Sequence, residues 1–202
     1  GDILLKLDDT IALSGKKWDT EDIRKKIKGP AHTQVKLLLL REGKKMTVNI
    51  TRDNVPVSAV DAFYIISPKT GYIRINKFAD RTYESFMQAL DSLVQKGIQS
   101  LVIDLRGNGG GLLSEAVAIA DELLSGNKLI VYTEGAHSPR VNYYSKREGL
   151  FEQGPVTVLM DESSASASEV LAGALQDWDR AKIVGQRSFG KGLVQQQFNL
   201  SN

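Results

Sequence analysis

The 202-residue chain has no cysteine, only two histidines and five prolines, and no long apolar run. Without cysteine there can be no disulfide, no thiolate metal site and no Cys nucleophile. The compartment stays open, because an extracytoplasmic protein can also do without cysteine. His32 and His137 lie in polar, proline-flanked stretches and read as ordinary loop residues, so histidine-based nucleophile activation has little to draw on. No stretch approaches the roughly 18 consecutive apolar residues of a membrane span, and Gly1-Asp2 is not the start of a basic-then-apolar leader. The expectation is no integral membrane segment in this chain, and a targeting segment that was removed or never there. Neither sign of charge dominates: 26 basic against 24 acidic residues give a net charge of +2, too weak a field to draw nucleic acid or an anionic membrane. What the chain does have is a 42% hydrophobic composition, enough to bury a core in one large domain or one and a fraction.

Two styles of chain follow one another. In residues 1–54, Ile3–Leu7 is a short apolar strand, and Asp19-Thr20-Glu21-Asp22 opens a helix that Gly29-Pro30 stops. Val35–Leu40 and Met46–Ile50 flank Glu42-Gly43 as a hairpin. Residues 55–70, with Pro56 and Pro68 and little periodicity, read as a linker. Residues 71–202 alternate strands and helices. Strands are expected at 71–75, 101–105, 129–132 and 156–160, and helices over 82–96, through Val117, Ala120 and Leu124, and over 166–178. The fold class is α/β.

Three segments could carry chemistry. Ser163-Ser164-Ala165-Ser166-Ala167-Ser168-Glu169 joins an apolar strand to an amphipathic helix. A hydroxyl there lies beside unpaired backbone N–H groups that favour developing negative charge. The same residues also make a capping box, Ser166 to Glu169, and the local sequence leaves both readings open. With histidine unavailable, a serine base would have to be lysine, whose reference pKa of ~10.4 must fall to about 7 to 8 in a dry setting. Lys191, between Gly190 and Gly192 with Phe189, Leu193 and Val194 nearby, is a candidate for that setting, although a solvated surface charge remains the commoner reading of a lysine. Asp104-Leu105-Arg106-Gly107-Asn108-Gly109-Gly110-Gly111 is a second strand-to-helix turn whose glycines let backbone amides face a ligand. It lacks the Gly at Leu112 that a dinucleotide fingerprint needs. An oxyanion or peptide cradle suits it at least as well.

Taken in order, Ser164-Ala165-Ser166-Ala167-Ser168-Glu169, Ala172-Gly173-Ala174-Leu175-Gln176-Asp177, Val184-Gly185 and Phe189-Gly190-Lys191-Gly192-x-Val194-Gln195 resemble the signature of the C-terminal processing (tail-specific) peptidases. Asp104-Leu105-Arg106-x-Asn108-x-Gly110-Gly111 is similar to that family's second motif. The resemblance covers roughly residues 70–202, and 1–52 looks like the later part of a PDZ domain. It departs from the family at Ser163, where Gly is common, and at Gly109, where Pro often stands. Segments of the family's PDZ part and of its core would lie outside this chain.

The resemblance implies a ClpP/crotonase-like serine peptidase core preceded by a partial PDZ-like domain. It implies Ser166 as nucleophile, Lys191, 25 residues later, as general base, and Gln195 orienting the lysine. It implies backbone N–H groups of Ala167 and Gly110 as oxyanion donors, with Glu169 and Asp177 in support. It further implies a protein or peptide substrate with a free C-terminus, no metal or organic cofactor, no nucleic-acid partner and an extracytoplasmic bacterial setting. Oligomeric state is not indicated. Two rival readings are an inert PDZ-type peptide-binding scaffold on the same fold, which a replaced Ser, Lys or Gln would favour, and an acyl-CoA enzyme using paired backbone donors alone.

Overall fold

The computed structural model describes residues 2–8, 11–12, 18–53 and 58–195. The chain divides into two units at 57/58, and each is described by itself.

The first unit contains β1 (Ile3–Leu7), β2 (Ile11–Ala12), α1 (Thr20–Ile27), β3 (Gln34–Arg41) and β4 (Lys44–Thr51), with an antiparallel sheet in the order β2-β1-β3-β4. Asp19 caps α1 by accepting the Asp22 N–H at 2.6 Å, as side-chain oxygens do at helix starts. Glu42 and Gly43, both at positive φ, form the two-residue turn between β3 and β4, whose twist matches that of the strands it joins. Leu7, Val35 and Leu37 are its buried centre, covered by Leu4, Ile11, Trp18, Ile27 and Leu39.

The second unit runs β5 (Val60–Ser67), β6 (Thr70–Ile75), α2 (Thr82–Gln95), β7 (Ser100–Asp104), α3 (Leu113–Asp121), β8 (Leu129–Gly135), β9 (Ser138–Tyr144), β10 (Val156–Met160), α4 (Ala167–Asp177) and β11 (Ala181–Gly185). Its main sheet has the order β11-β10-β7-β6-β5, parallel except for the β5–β6 hairpin. Because β6, β7, β10 and β11 step in one direction and parallel crossovers are right-handed, the intervening helices fall on one face. That face carries Ile73, Ile75, Leu101, Ile103, Val156, Val158 and Met160, packed in one core with Phe86, Leu90 and Leu93 of α2, Ala116, Ile119 and Ala120 of α3, and Leu171 and Leu175 of α4.

The segment read as a linker holds β5. Pro68 and Lys69 form the turn between β5 and β6, with Lys69 at φ 63°. Proline pre-sets the first turn position, so the residue that suggested a break is the corner of a hairpin. Strands β7 and β10 are parallel neighbours, and the loops leaving their C-terminal ends, 105–112 and 161–166, lie side by side. Open α/β sheets place their ligand crevices at such ends.

Candidate active site

The β10–α4 turn holds Ser166 at φ 56°, ψ −116°, a conformation that costs a residue with a Cβ and persists only when its surroundings impose it. Several bonds impose it here. The Ser166 N–H donates to Glu169 Oε2 at 2.8 Å, and the Ser166 carbonyl accepts the N–H groups of Glu169 and Val170. The Ala165 N–H and the Ser168 hydroxyl both donate to the Asn108 carbonyl, at 3.1 and 2.9 Å. The Ser164 hydroxyl donates to the Leu105 carbonyl at 2.8 Å. Ser164 and Ser168 are thus fully buried with their hydroxyls spent on backbone, while Ser166 is half-buried and lines a cavity.

That cavity measures about 510 Å³ and brings together Ser166, Ala167, Gly109–Gly111, Lys191 and Gln195. Leu112, Leu113, Val131, Tyr132, Val170, Leu193 and Val194 supply its apolar wall. Of the sequence-derived site residues, Ser166, Lys191, Gln195, Ala167 and Gly110 therefore meet in one place. Asp177 does not: it is exposed at the last residue of α4, the opposite end of the helix from Ser166. The apolar neighbours expected to dry Lys191 are also placed differently. Phe189 is 70% exposed, Leu193 76% and Val194 57%, and no hydrogen bond joins the Ser166 hydroxyl to Lys191 Nζ.

Glu169 does more than cap. Its Oε2 takes the N–H groups of Ser166 and Lys191, both at 2.8 Å, and its Oε1 takes the Gly190 N–H at 2.6 Å and the Ser188 hydroxyl at 2.7 Å. One carboxylate thereby ties the turn carrying Ser166 to the loop carrying Lys191. Partial burial pushes the Glu169 carboxyl up, but the hydrogen bonds from Ser188, Lys191, Ser166 and Gly190 outweigh it and hold the group below its ordinary value.

The glycine loop docks on the same turn. A Cβ on Gly110 would lie 2.5 Å from the Ala165 carbonyl oxygen and 2.7 Å from Ser166 Cβ, and Gly110 stands at φ 95°. Only glycine allows that approach. The Gly110 N–H, expected to face an oxyanion, instead donates to Asn108 Oδ1 at 2.9 Å. The Gly110 carbonyl accepts the Phe78 N–H at 3.0 Å, so across the trans peptide the Gly111 N–H faces the other way. Gly111 lines the cavity and its N–H, like that of Ala167, has no acceptor among the described residues.

Two residues escaped the sequence reading as organisers. Asn108, fully buried, also donates Nδ2 to the Ile75 carbonyl at 2.9 Å and so anchors both loops to β6. Asp161 accepts the Gly107 N–H at 2.9 Å and the Ser163 N–H at 3.0 Å, and its own N–H donates to Ser164 Oγ at 3.0 Å; the bonds to its carboxylate, the Gly107 one foremost, hold it below the usual range. Asn108 stood within the second motif with no role of its own, and the signal of Asp161 was only its position beside the serine segment. Below the loops, Asp104 is fully buried and accepts Tyr72 Oη at 2.6 Å, and Arg106 Nη2, Nε and N–H at 2.7, 2.9 and 3.0 Å. Burial raises the Asp104 carboxyl, but Arg106 and Tyr72 overcome it and hold it at about 2, while burial and the Asp104 charge push Tyr72 up to about 12.

A serine on a strained strand-to-helix turn thus shares one cavity with a lysine and with backbone N–H groups that have no acceptor among the described residues, the parts that nucleophilic catalysis by a serine draws on. Residues 69–202 match peptidase family S41, and the chain belongs to that family. It is 35% identical over 203 residues to the carboxyl-terminal-processing protease of Synechocystis sp., covering 96% of this chain and 47% of that protein. It is 36% identical over 205 residues to the carboxy-terminal-processing protease of Bartonella bacilliformis, covering 96% and 45%. Among solved structures, a photosystem II D1 C-terminal processing protease is 32% identical, with a TM-score of 0.65 over all of this chain and 55% of that one. The tricorn protease, at 17% identity and a TM-score of 0.51 over 94% of this chain and 18% of that one, shares the fold. The chain spans about half the length of the curated relatives it matches.

Proposed function

We propose that this chain carries the catalytic centre of a serine endopeptidase that cuts proteins near their C-termini through an acyl-enzyme. The observation that carries the reading is that, of the alternating serines Ser164, Ser166 and Ser168, only Ser166 is accessible, that the exposed Ser163 does not line the cavity, and that Ser166 shares that cavity with Lys191. Neutral Lys191 takes the Ser166 Oγ proton as Oγ bonds to the scissile carbonyl carbon. The carbonyl oxygen becomes an oxyanion held by the N–H groups of Ala167 and Gly111. Collapse breaks the C–N bond, and the leaving amine takes the proton from Lys191. Water then gives a proton to Lys191 and attacks the ester, and Ser166 Oγ is regenerated with the proton from the lysine.

Gln195 orients the lysine, and Glu169 sets the spacing between its loop and the serine turn. The first unit is part of a PDZ-like module, a reading supported by its antiparallel sheet with one helix and by relatives that match across it. An extracytoplasmic bacterial setting fits relatives that are bacterial; among the described residues no helix is long and apolar enough to cross a membrane. The test is mass spectrometry of a protein with a disordered tail after incubation with wild-type and Ser166→Ala proteins. Cuts near the tail by the wild type alone support the reading, and identical fragments from both would end it.

A further inference from the structure

We propose that Arg140, stacked on Tyr132 of the cavity wall, takes a carboxylate of the substrate. The proposal rests on the peptidase reading and adds an anionic feature to what that site selects. Strands β8 and β9 form their own two-stranded sheet, and β8 lends Val131 and Tyr132 to the cavity wall. Tyr132 is half exposed and stands opposite Asn142 in the hairpin register. The Arg140 guanidinium carbon lies 3.8 Å from the Tyr132 ring centroid, and Arg140 Nε donates to Asn142 Oδ1 at 2.9 Å.

These contacts fix the guanidinium plane without neutralising it. The aromatic ring covers one face, the Asn142 amide oxygen takes the Nε–H, and the two Nη groups remain, the edge whose fork matches a carboxylate. No ion pair is made by Arg140 among the described residues. Glu134, on β8 of the same hairpin, makes none with it, and His137 lies in the turn. Among the described residues the cavity lining holds no acidic one, and its ionisable members are Lys191 and Tyr132. A guanidinium stacked beside an apolar, acid-free cavity favours a peptide that puts an apolar side chain inside and an anion at the mouth. The carboxylate can come from the peptide's own C-terminus or from an Asp or Glu near the cut.

The experiment uses an apolar peptide in four forms: with a free C-terminus, as the C-terminal amide, and as the amide with either Glu or Gln at each position flanking the intended cut. Binding is read by fluorescence anisotropy on the Ser166→Ala protein, and KM and kcat on the active protein, each with and without R140Q and R140K. The expected result is a carboxylate form bound about tenfold more tightly than its neutral partner, carried by KM, weakened by added salt, reduced to a ratio near one by R140Q and partly kept by R140K. Whether the free-terminus arm or the Glu arm shows the ratio identifies the source. A ratio near one in the protein with Arg140, or one that survives R140Q, overturns the proposal. If no peptide is cut but the binding ratio is present and lost in R140Q, the peptidase reading falls and the carboxylate site stands.

Discussion

At the scale of single residues, the Ser-x-x-Glu pattern that reads as a helix cap is that and more, because the Glu169 carboxylate also gathers the Lys191, Gly190 and Ser188 donors. Glu169→Gln should therefore lower kcat by more than about a hundredfold with a modest change in KM. An amide NH2 in place of one oxygen would face N–H donors and force the two loops apart. A KM effect with intact kcat would place the residue in substrate binding instead. Ser164→Ala and Ser168→Ala lose buried hydroxyl bonds, costing about 1–2 kcal/mol of stability each, and should keep catalysis; Ser166→Ala should remove it without unfolding. Lys191→Arg should be as inactive as Lys191→Ala, since guanidinium stays protonated in proteins. Steady-state assays beside denaturant titrations separate these outcomes, and substantial turnover in Lys191→Arg would remove the lysine from the role of base.

The elements show what the sequence could and could not announce. The strong apolar periods of α2, β7, β10 and α4 were legible, because burial on one face writes itself into spacing. Strand β5 was not, since its hairpin turn uses proline, and β9, Ser138–Tyr144, is exposed along most of its length and has no period to read. The site was legible where family motifs named residues, Asn108 among them, but nothing in a motif says that this residue bonds both loops through side chain and backbone at once. Nor could spacing show that Phe189, Leu193 and Val194 stand largely exposed beside Lys191. Two glycines test the geometry at this scale. Gly110→Ala should collapse activity, because a Cβ there meets the turn that carries Ser166, whereas Gly173→Ala within α4 has nothing within 4 Å and should stabilise by about 0.5–1 kcal/mol. Equal effects of the two on kcat would show that the close approach is not needed.

For the whole molecule, acid is the informative perturbation. Asp104, Asp121, Asp161 and Glu169 all have carboxyls held below their ordinary values in the folded state. The stability they contribute is present above the unfolded values of about 4 and is lost as pH falls through the folded ones, for Asp104 between about 4 and about 2. Denaturant midpoints of the second unit should accordingly drop across that window, and midpoints that rise there would contradict the assignment. Heat probes a different quantity, the positive φ of Ser166. Glycine tolerates that backbone shape and alanine does not, so Ser166→Gly should melt higher than both the wild type and Ser166→Ala, each kcal/mol relieved appearing as about 2–4 °C. The difference between the two variants would then read out how much thermal resistance the molecule forgoes to carry a side chain with a Cβ at this point of the cavity wall.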